Sequence, residues 1–396
     1  MDRQVRRRLV AFWVLGALVF AYLFGASAPS PLYPIYQQVF GFSAITVTAI
    51  YGAYAASGLA GLLVSGRVSD YVGRRPVVVV GLLIQIAGML AFIAAQGEAL
   101  LYVGRLLQGL GTGMAIGALS AWLVDLQPPD NPRLGALVAG TATMLGLGAG
   151  GLGAAVLVQF APDPLRLVYW LLAVVYLCAL LAMPFIPDVV QRQAGWLRSL
   201  RPDVGVPSAA RPLFVALLPS LIATWALAGL YLSLGPALAT SLTGANTPLA
   251  GGLVIVTLLG TGAVASVVVR DADPRRLMIR GSLLLVAGVA VTLAGVALGS
   301  VAALFAGSFI TGLGFGPAFS AVLRSLVPLA PVDKRAALLA AVFVVVYVSF
   351  SVPTIAAGMA VNGFGLRAAT YGYGIAVIVL AVITTYAMTR RVAPAG

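Results

Sequence analysis

The chain has 396 residues, of which 61% are hydrophobic and only 9% charged, with a mean hydropathy of +1.04. No water-soluble fold of this length could bury so much apolar surface, because even large domains leave a substantial part of the chain exposed; the composition therefore specifies a polytopic membrane protein. The formal charge of +13 then reads as membrane topology, not as affinity for nucleic acid. Apolar windows of about 20 residues bounded by charges or turn residues predict twelve membrane helices. The first six fall at 9–36, 44–65, 77–96, 99–126, 134–160 and 167–186. A polar segment with Asp188, Arg192, Arg198, Arg201 and Asp203 follows, so the predicted organisation is an N-terminal six-helix bundle at 1–186, a linker at 187–211 and a C-terminal six-helix bundle at 212–396. In the second half the uncharged stretch 212–269 breaks at 243–248, and 281–323 breaks near 298–300; the last two helices span 336–361 and 368–389.

Arg and Lys concentrate in cytoplasmic loops of membrane proteins. With the N-terminus inside, 21 of the 24 basic residues lie on the cytoplasmic side; Arg166 and Arg367 lie outside and Arg105 falls within a helix. Both termini and the linker are thus expected in the cytoplasm. The apolar run after the basic N-terminus is far longer than the roughly 7–15 residues of a signal-peptide core, which predicts a retained first helix. The single Cys178 rules out an intrachain disulfide and is expected to be a buried, inert filler.

The halves repeat at nearly constant spacing. The run from Asp70 to Arg75 matches that from Asp271 to Arg276, Gly109, Gly111 and Gly113 match Gly312, Gly314 and Gly316, and Arg133 matches Arg335, at offsets of 201, 203 and 202 residues. Three matches in register favour an internal duplication, as in transporters built from related helical bundles.

The dense polar run 66–76, between predicted helices 2 and 3, contains Gly66, Asp70, Gly73, Arg74, Arg75 and Pro76. Its glycines and charges resemble the loop signature of the major facilitator superfamily, and the resemblance covers essentially the whole chain. Arg105, Gln108, Gly109, Gly111 and Gly113 look like that family's second signature, on helix 4. The third, a Gly-Pro element of helix 5 associated with antiporters, has its glycines at 140, 146, 148, 150, 151 and 153 but no proline, which leaves antiport open. The resemblance implies an all-α carrier fold, and a cytoplasmic gate in which Asp70, Arg74 and Asp125 form a charge cluster. Physical reasoning agrees in part: Asp70 and Arg74 are four apart and share a face if helical, and Gly66 would let a neighbouring helix approach closely.

Arg105 lies about 9 Å into helix 4 at 1.5 Å per residue. An ionisable group at such depth marks a cavity more often than a lipid face, and Gln108 shares its side of the helix. Other candidate cavity residues are Tyr33, Tyr51, Tyr54, Gly109, Trp225, Tyr231, Phe315, Phe319 and Tyr347, with prolines 29, 31, 34, 236, 317 and 353 as hinges or sources of unpaired carbonyls. No His occurs, Glu98 is the sole Glu, and every Asp falls in a loop or at a helix end. Coupling to protons through Asp70 or Asp125, or no coupling, therefore stays open. No cofactor, metal, catalytic residue or nucleotide-binding loop is expected.

These residues predict a monomeric secondary transporter of the cytoplasmic (inner) membrane, moving a small amphipathic molecule by alternating access, most simply as efflux. Facilitated or proton-coupled uptake of a metabolite is the alternative transport reading. A sensor or scaffold with a carrier fold is the non-transport one, since fold does not dictate function.

Overall fold

A computed structural model describes residues 3–131, 133–190, 192–201, 203–244, 248–331 and 334–390. Part of the predicted break at 243–248 and Arg391 lie outside them. All regular structure among the described residues is helical. The first half runs α1 (Arg3–Ser27), α2 (Tyr33–Phe40), α3 (Ala44–Ser65), α4 (Val68–Val72), α5 (Arg74–Ile93), α6 (Glu98–Leu126), α7 (Leu134–Phe160) and α8 (Leu167–Ala182). A short α9 (Trp196–Ser199) lies in the linker; α10 (Arg211–Ser233), α11 (Gly235–Thr243), α12 (Pro248–Val268), α13 (Pro274–Leu298), α14 (Val301–Leu326) and α15 (Arg335–Arg390) complete the chain. Among the described residues eleven segments are long and apolar enough to span a membrane, and the last, the 54 residues of Ala337–Arg390, is long enough to do so twice.

Local chemistry sets the boundaries, and in several places corrects the expected ones. The first span does not run unbroken to residue 36. It stops at Ser27, makes one 3₁₀ turn at Ser30–Leu32, and resumes as α2 until Gly41 at φ +72° ends it. The reason is proline: Pro29 and Pro31 have no N–H for the preceding turn. The ninth span begins at Pro274, not 281, because the Asp273 carboxylate caps it by accepting the Arg276 N–H at 2.9 Å. The last two helices are continuous but for Gly365 at φ +83°, which turns α15 into two arms. Cys178, expected in the interior, is exposed.

The duplication reads out in the packing. In the first half α6 lies so close on α3 that a Cβ at Gly109 would sit 2.2 Å from the Tyr54 carbonyl oxygen, and one at Gly113 would sit 1.9 Å from that of Gly58. In the second half α14 lies on α12 in the same way, with Gly312 against Leu258 and Gly316 against Gly262. Small residues here let backbones touch where lipid offers no hydrophobic drive. Two seams join the halves. In one, α7 meets α12, with Gly252 against Ala155 and Gly151; in the other, α3 meets the first arm of α15, with Gly52 against Ile355 and Gly358 against Thr48.

Candidate functional site

The break in α1 creates the first site. Helix termini leave carbonyls without an intrahelical donor. At residue 29 the donor is missing outright, because the nitrogen that would serve Gly25 belongs to a proline. Side chains of α6 replace it: Gln108 Nε2 donates to the Gly25 carbonyl at 2.8 Å, and Arg105 Nη1 donates to that of Ala26 at 2.7 Å. Arg105 Nη1 also donates to Gln108 Oε1 at 2.7 Å, and Nε to the Tyr33 hydroxyl at 2.8 Å. The guanidinium carbon lies 4.7 Å from the ring centre of Tyr51, 5.3 Å from Tyr54 and 5.6 Å from Tyr33. Arg105 is completely buried, so it does not reach to the headgroups. Neutral dipoles and ring faces hold the cation, with no carboxylate in salt-bridge range among the described residues, and its Nη2 has no hydrogen-bond partner.

Among the described residues one hydrogen bond joins this cage to the second half. Tyr51, which also shares a short hydrogen bond with Ser30, donates its hydroxyl to the Leu232 carbonyl of α10 at 2.5 Å. Leu232 lies four residues before Pro236, so here too a proline has removed the helical donor. Tyr51 also packs against Phe350 of α15, with ring centres 6.4 Å apart. On this side of the molecule, at the ends away from the arginine-rich loops, residues 25–33 of the first span and 226–236 of the seventh are buried on every side.

The other expected cavity residues are dispersed outside this cage. Gly109 is packed against α3, where its missing Cβ leaves room for the Tyr54 carbonyl and the Ser57 hydroxyl. Tyr231 turns into the second half, where its hydroxyl meets Thr292 and Ser308, each at 3.2 Å, beside a cavity of about 20 Å³. Ser308 and Thr311 are the repeat counterparts of Arg105 and Gln108, 203 residues on, so the second half has hydroxyls where the first has a cation. Trp225 forms an aromatic group with Phe315 and Phe319, ring centres 6.1 and 5.1 Å away, and Tyr347 packs on Gly58.

At the arginine-rich face Arg74 is the hub. It pairs with Asp70 on α4 and, through Nε at 3.1 Å, with Asp125 at the end of α6; Nη1 also donates to Ser69 at 2.8 Å. Sequence reasoning missed the third carboxylate. Asp188 accepts the backbone N–H groups of Arg74 and Arg75 at 3.3 and 3.0 Å, an anion at the positive end of α5. Gly73, at φ +97°, is required there, because a Cβ would lie 2.6 Å from the Asp188 carboxylate. Arg75 donates to the Ile186 carbonyl at 2.5 Å, and Arg275 does the same to Met388, 202 residues further on, at 2.8 Å. The only sequence signal for Asp188 was its place as the first acid after the sixth span. Gly66 does not admit a neighbouring helix: a Cβ there would meet the Leu62 carbonyl of α3 itself. The cluster ties together parts of the first half and the start of the linker. Between the halves this face shows Arg133 and Asp271, 3.9 Å apart and both exposed.

A family model described as Major Facilitator Superfamily matches residues 15–291. The chain belongs to this superfamily. It is therefore a multi-pass membrane protein, and the paired bundles described above are the superfamily's fold. Among curated relatives, multidrug resistance protein 2 of Bacillus subtilis is 25% identical over 155 residues, 38% of this chain and 39% of that protein. Multidrug resistance protein MdtL of Escherichia coli is 29% identical over 137 residues, 34% of each. The chain thus spans well under half the length of the curated relatives it matches. Solved structures superpose over nearly the whole chain. A peptide transporter in complex with sulfate gives a TM-score of 0.75 at 16% identity, covering 97% of this chain and 94% of that one. A peptide-transporter-family protein in complex with 5-aminolevulinic acid gives 0.76 at 14% identity, covering 98% and 97%. At such identity the likeness shows the fold alone.

Proposed function

We propose that this transporter exports a small amphipathic organic molecule across the cytoplasmic membrane by alternating access, with both termini in the cytoplasm. The observation that carries the reading is the Arg105 cage: a buried cation without a carboxylate, placed where the two halves meet and linked to the far half through Tyr51. Such carriers bind substrate between their halves. A site of this charge favours neutral or anionic compounds, because a desolvated permanent cation would find no counter-charge. The multidrug resistance proteins among its relatives support export. The Arg74 cluster, with Asp70, Asp125 and Asp188, would brace the cytoplasmic ends of the first half as it rocks. Any coupling to protons runs through Asp70 or Asp125 in this reading.

Inverted membrane vesicles decide it. Neutral, anionic and quaternary-ammonium fluorescent dyes are offered from the cytoplasmic face, with and without an imposed proton gradient. Accumulation of neutral or anionic dyes above vesicles lacking the protein supports export. A dependence on the gradient identifies coupling, and no accumulation of any dye rejects the proposal in favour of uptake or a non-transporting role.

A further inference from the structure

The apolar cores of the two bundles part on the arginine-rich side. Away from it, one core joins the first bundle to α11, α12 and the far ends of α10, α13, α14 and α15. The arginine-rich ends of α10, α13, α14 and α15 instead pack into a core of their own, with Leu217, Met278, Val322 and Val342 among its members. Trp225 of α10 and Phe319 of α14, both half-buried, pack against both cores and so stand at the fork between them. Trp225 lies seven residues, about 10 Å of helix, from Leu232. The Tyr51 seam therefore closes beyond the fork, and the fork faces the arginine-rich side.

Three observations give the fork a binding chemistry. Trp225 meets Phe315 and Phe319 edge to face, at interplanar angles of 62° and 82°, so three rings converge there. The Trp225 Nε1–H is buried without a hydrogen-bond partner, although a buried indole N–H ordinarily has one. No charged residue occurs at 212–233, 301–323 or 336–361, the stretches of α10, α14 and α15 that pack together here. The first bundle does not repeat the cluster: Thr112 and Ile116 of α6 stand where Phe315 and Phe319 stand 203 residues later, so packing common to both halves does not demand the rings. Rings with one unused neutral donor fit a flat group that brings a neutral acceptor, whereas a cation would meet the positive edge of the indole. We infer that the fork is the subsite for the uncharged part of the cargo: a planar aromatic or heteroaromatic group, packed on Trp225 and Phe319, whose carbonyl or ring nitrogen accepts the Trp225 N–H. The inference rests on the transport reading proposed above and adds to the Arg105 cage the recognition of the apolar end of an amphipathic molecule.

Binding is measured apart from transport. Full-length protein in detergent, captured on scintillation beads, is titrated with tritiated coumarin, a flat neutral lactone. Saturable binding is expected. Unlabelled coumarin should displace the probe at a several-fold lower concentration than naphthalene, which has the rings and no acceptor, or octahydrocoumarin, which has the acceptor and no flat ring. Trp225→Phe keeps a ring and removes the N–H; it should weaken coumarin on the order of 5-fold and bring it level with naphthalene. Phe319→Leu keeps the indole; it should weaken coumarin and naphthalene alike and leave octahydrocoumarin unchanged. Absence of saturable binding, equal displacement by all three compounds, or an unchanged coumarin affinity in Trp225→Phe, which would leave the N–H to the neighbouring rings, overturns the assignment. So does displacement by tetraphenylphosphonium at a lower concentration than coumarin, which would make the rings a cation site. Selective coumarin binding without dye accumulation in inverted vesicles upholds the subsite and rejects export; dye accumulation without selective binding does the reverse.

Discussion

Tyr51→Phe removes one oxygen and leaves the ring in place. That oxygen satisfies the Leu232 carbonyl, whose helical donor Pro236 cannot supply, and it is the hydrogen bond from the Arg105 cage to the second half. With the seam closed the mutant carbonyl is buried and unpaired, at a cost of about 1–3 kcal/mol. With the seam open, water pairs it. The closed-to-open ratio should therefore fall by about 1.5 kcal/mol, on the order of 10-fold. The ring contact with Phe350 survives the change and sets the remaining closure. Purified protein in detergent reports this directly. In a Cys178→Ser background, a cysteine at Ala239, fully buried on α11 behind the seam, should react with a bulky maleimide on the order of 10 times faster when Tyr51 is Phe. A labelling rate within twofold of the parent would show that the bond does not hold the seam shut, and the structural reasoning about the proline-exposed carbonyl would fail with it.

Four further outcomes are expected. Arg105→Ala should depress efflux of anionic dyes more than of neutral ones, with Arg105→Lys intermediate because it keeps the charge but loses the planar fork; robust efflux of a quaternary-ammonium dye, unchanged in Arg105→Ala, contradicts the charge argument. Asp70→Asn and Asp125→Asn should each slow transport, and the double variant should lose less than the sum of the two in free energy, since both act on Arg74; strict additivity argues for separate roles. Asp188→Ala should lower stability by about 1 kcal/mol through the lost cap of α5, seen as a lower unfolding temperature with Asp188→Asn closer to wild type. A cysteine at Ala194, exposed in the linker, should resist non-permeant reagents in intact cells and react in inverted vesicles; Ser199 would be a poor reporter because it is buried.

The fold was legible because its signals are additive over many residues. Twelve apolar windows, a basic-loop bias and a 202-residue repeat each survive small local errors. Where the spans begin was less so, since Pro274 and Asp273 extend α13 into a stretch that its arginines made look like a loop. Asp70 and Arg74 could be paired from their spacing of four, and Asp125 joined them through the family resemblance. Asp188 could not, because its bond to α5 depends on how the linker leaves the sixth span, a tertiary fact with no periodicity behind it. The Arg105 cage was half visible. The buried charge and Gln108 stood out, and the prolines were recognised as sources of free carbonyls, but which side chains meet those carbonyls is decided by the crossing of α6 over the end of α1. Which partners Tyr231 and Gly109 meet could not be read from spacing, because aromatic and small residues at helical spacing serve packing as readily as binding.

Both bonds that Pro29 and Pro236 make necessary are received by main-chain oxygen, at Gly25 and Leu232. The bond at Leu232 asks nothing of that residue's own side chain, whereas Gly25 admits none, since a Cβ there would lie 2.4 Å from the Tyr176 hydroxyl. The hydrogen bond across the seam therefore outlasts a change of the side chain at 232 so long as Tyr51 and Pro236 stay, while the glycine contacts beside it tolerate no change of size. In the proposed transport cycle, closure on this side would then hang on two positions, a tyrosine and a proline on opposite halves, and not on the residues that line the Arg105 cage.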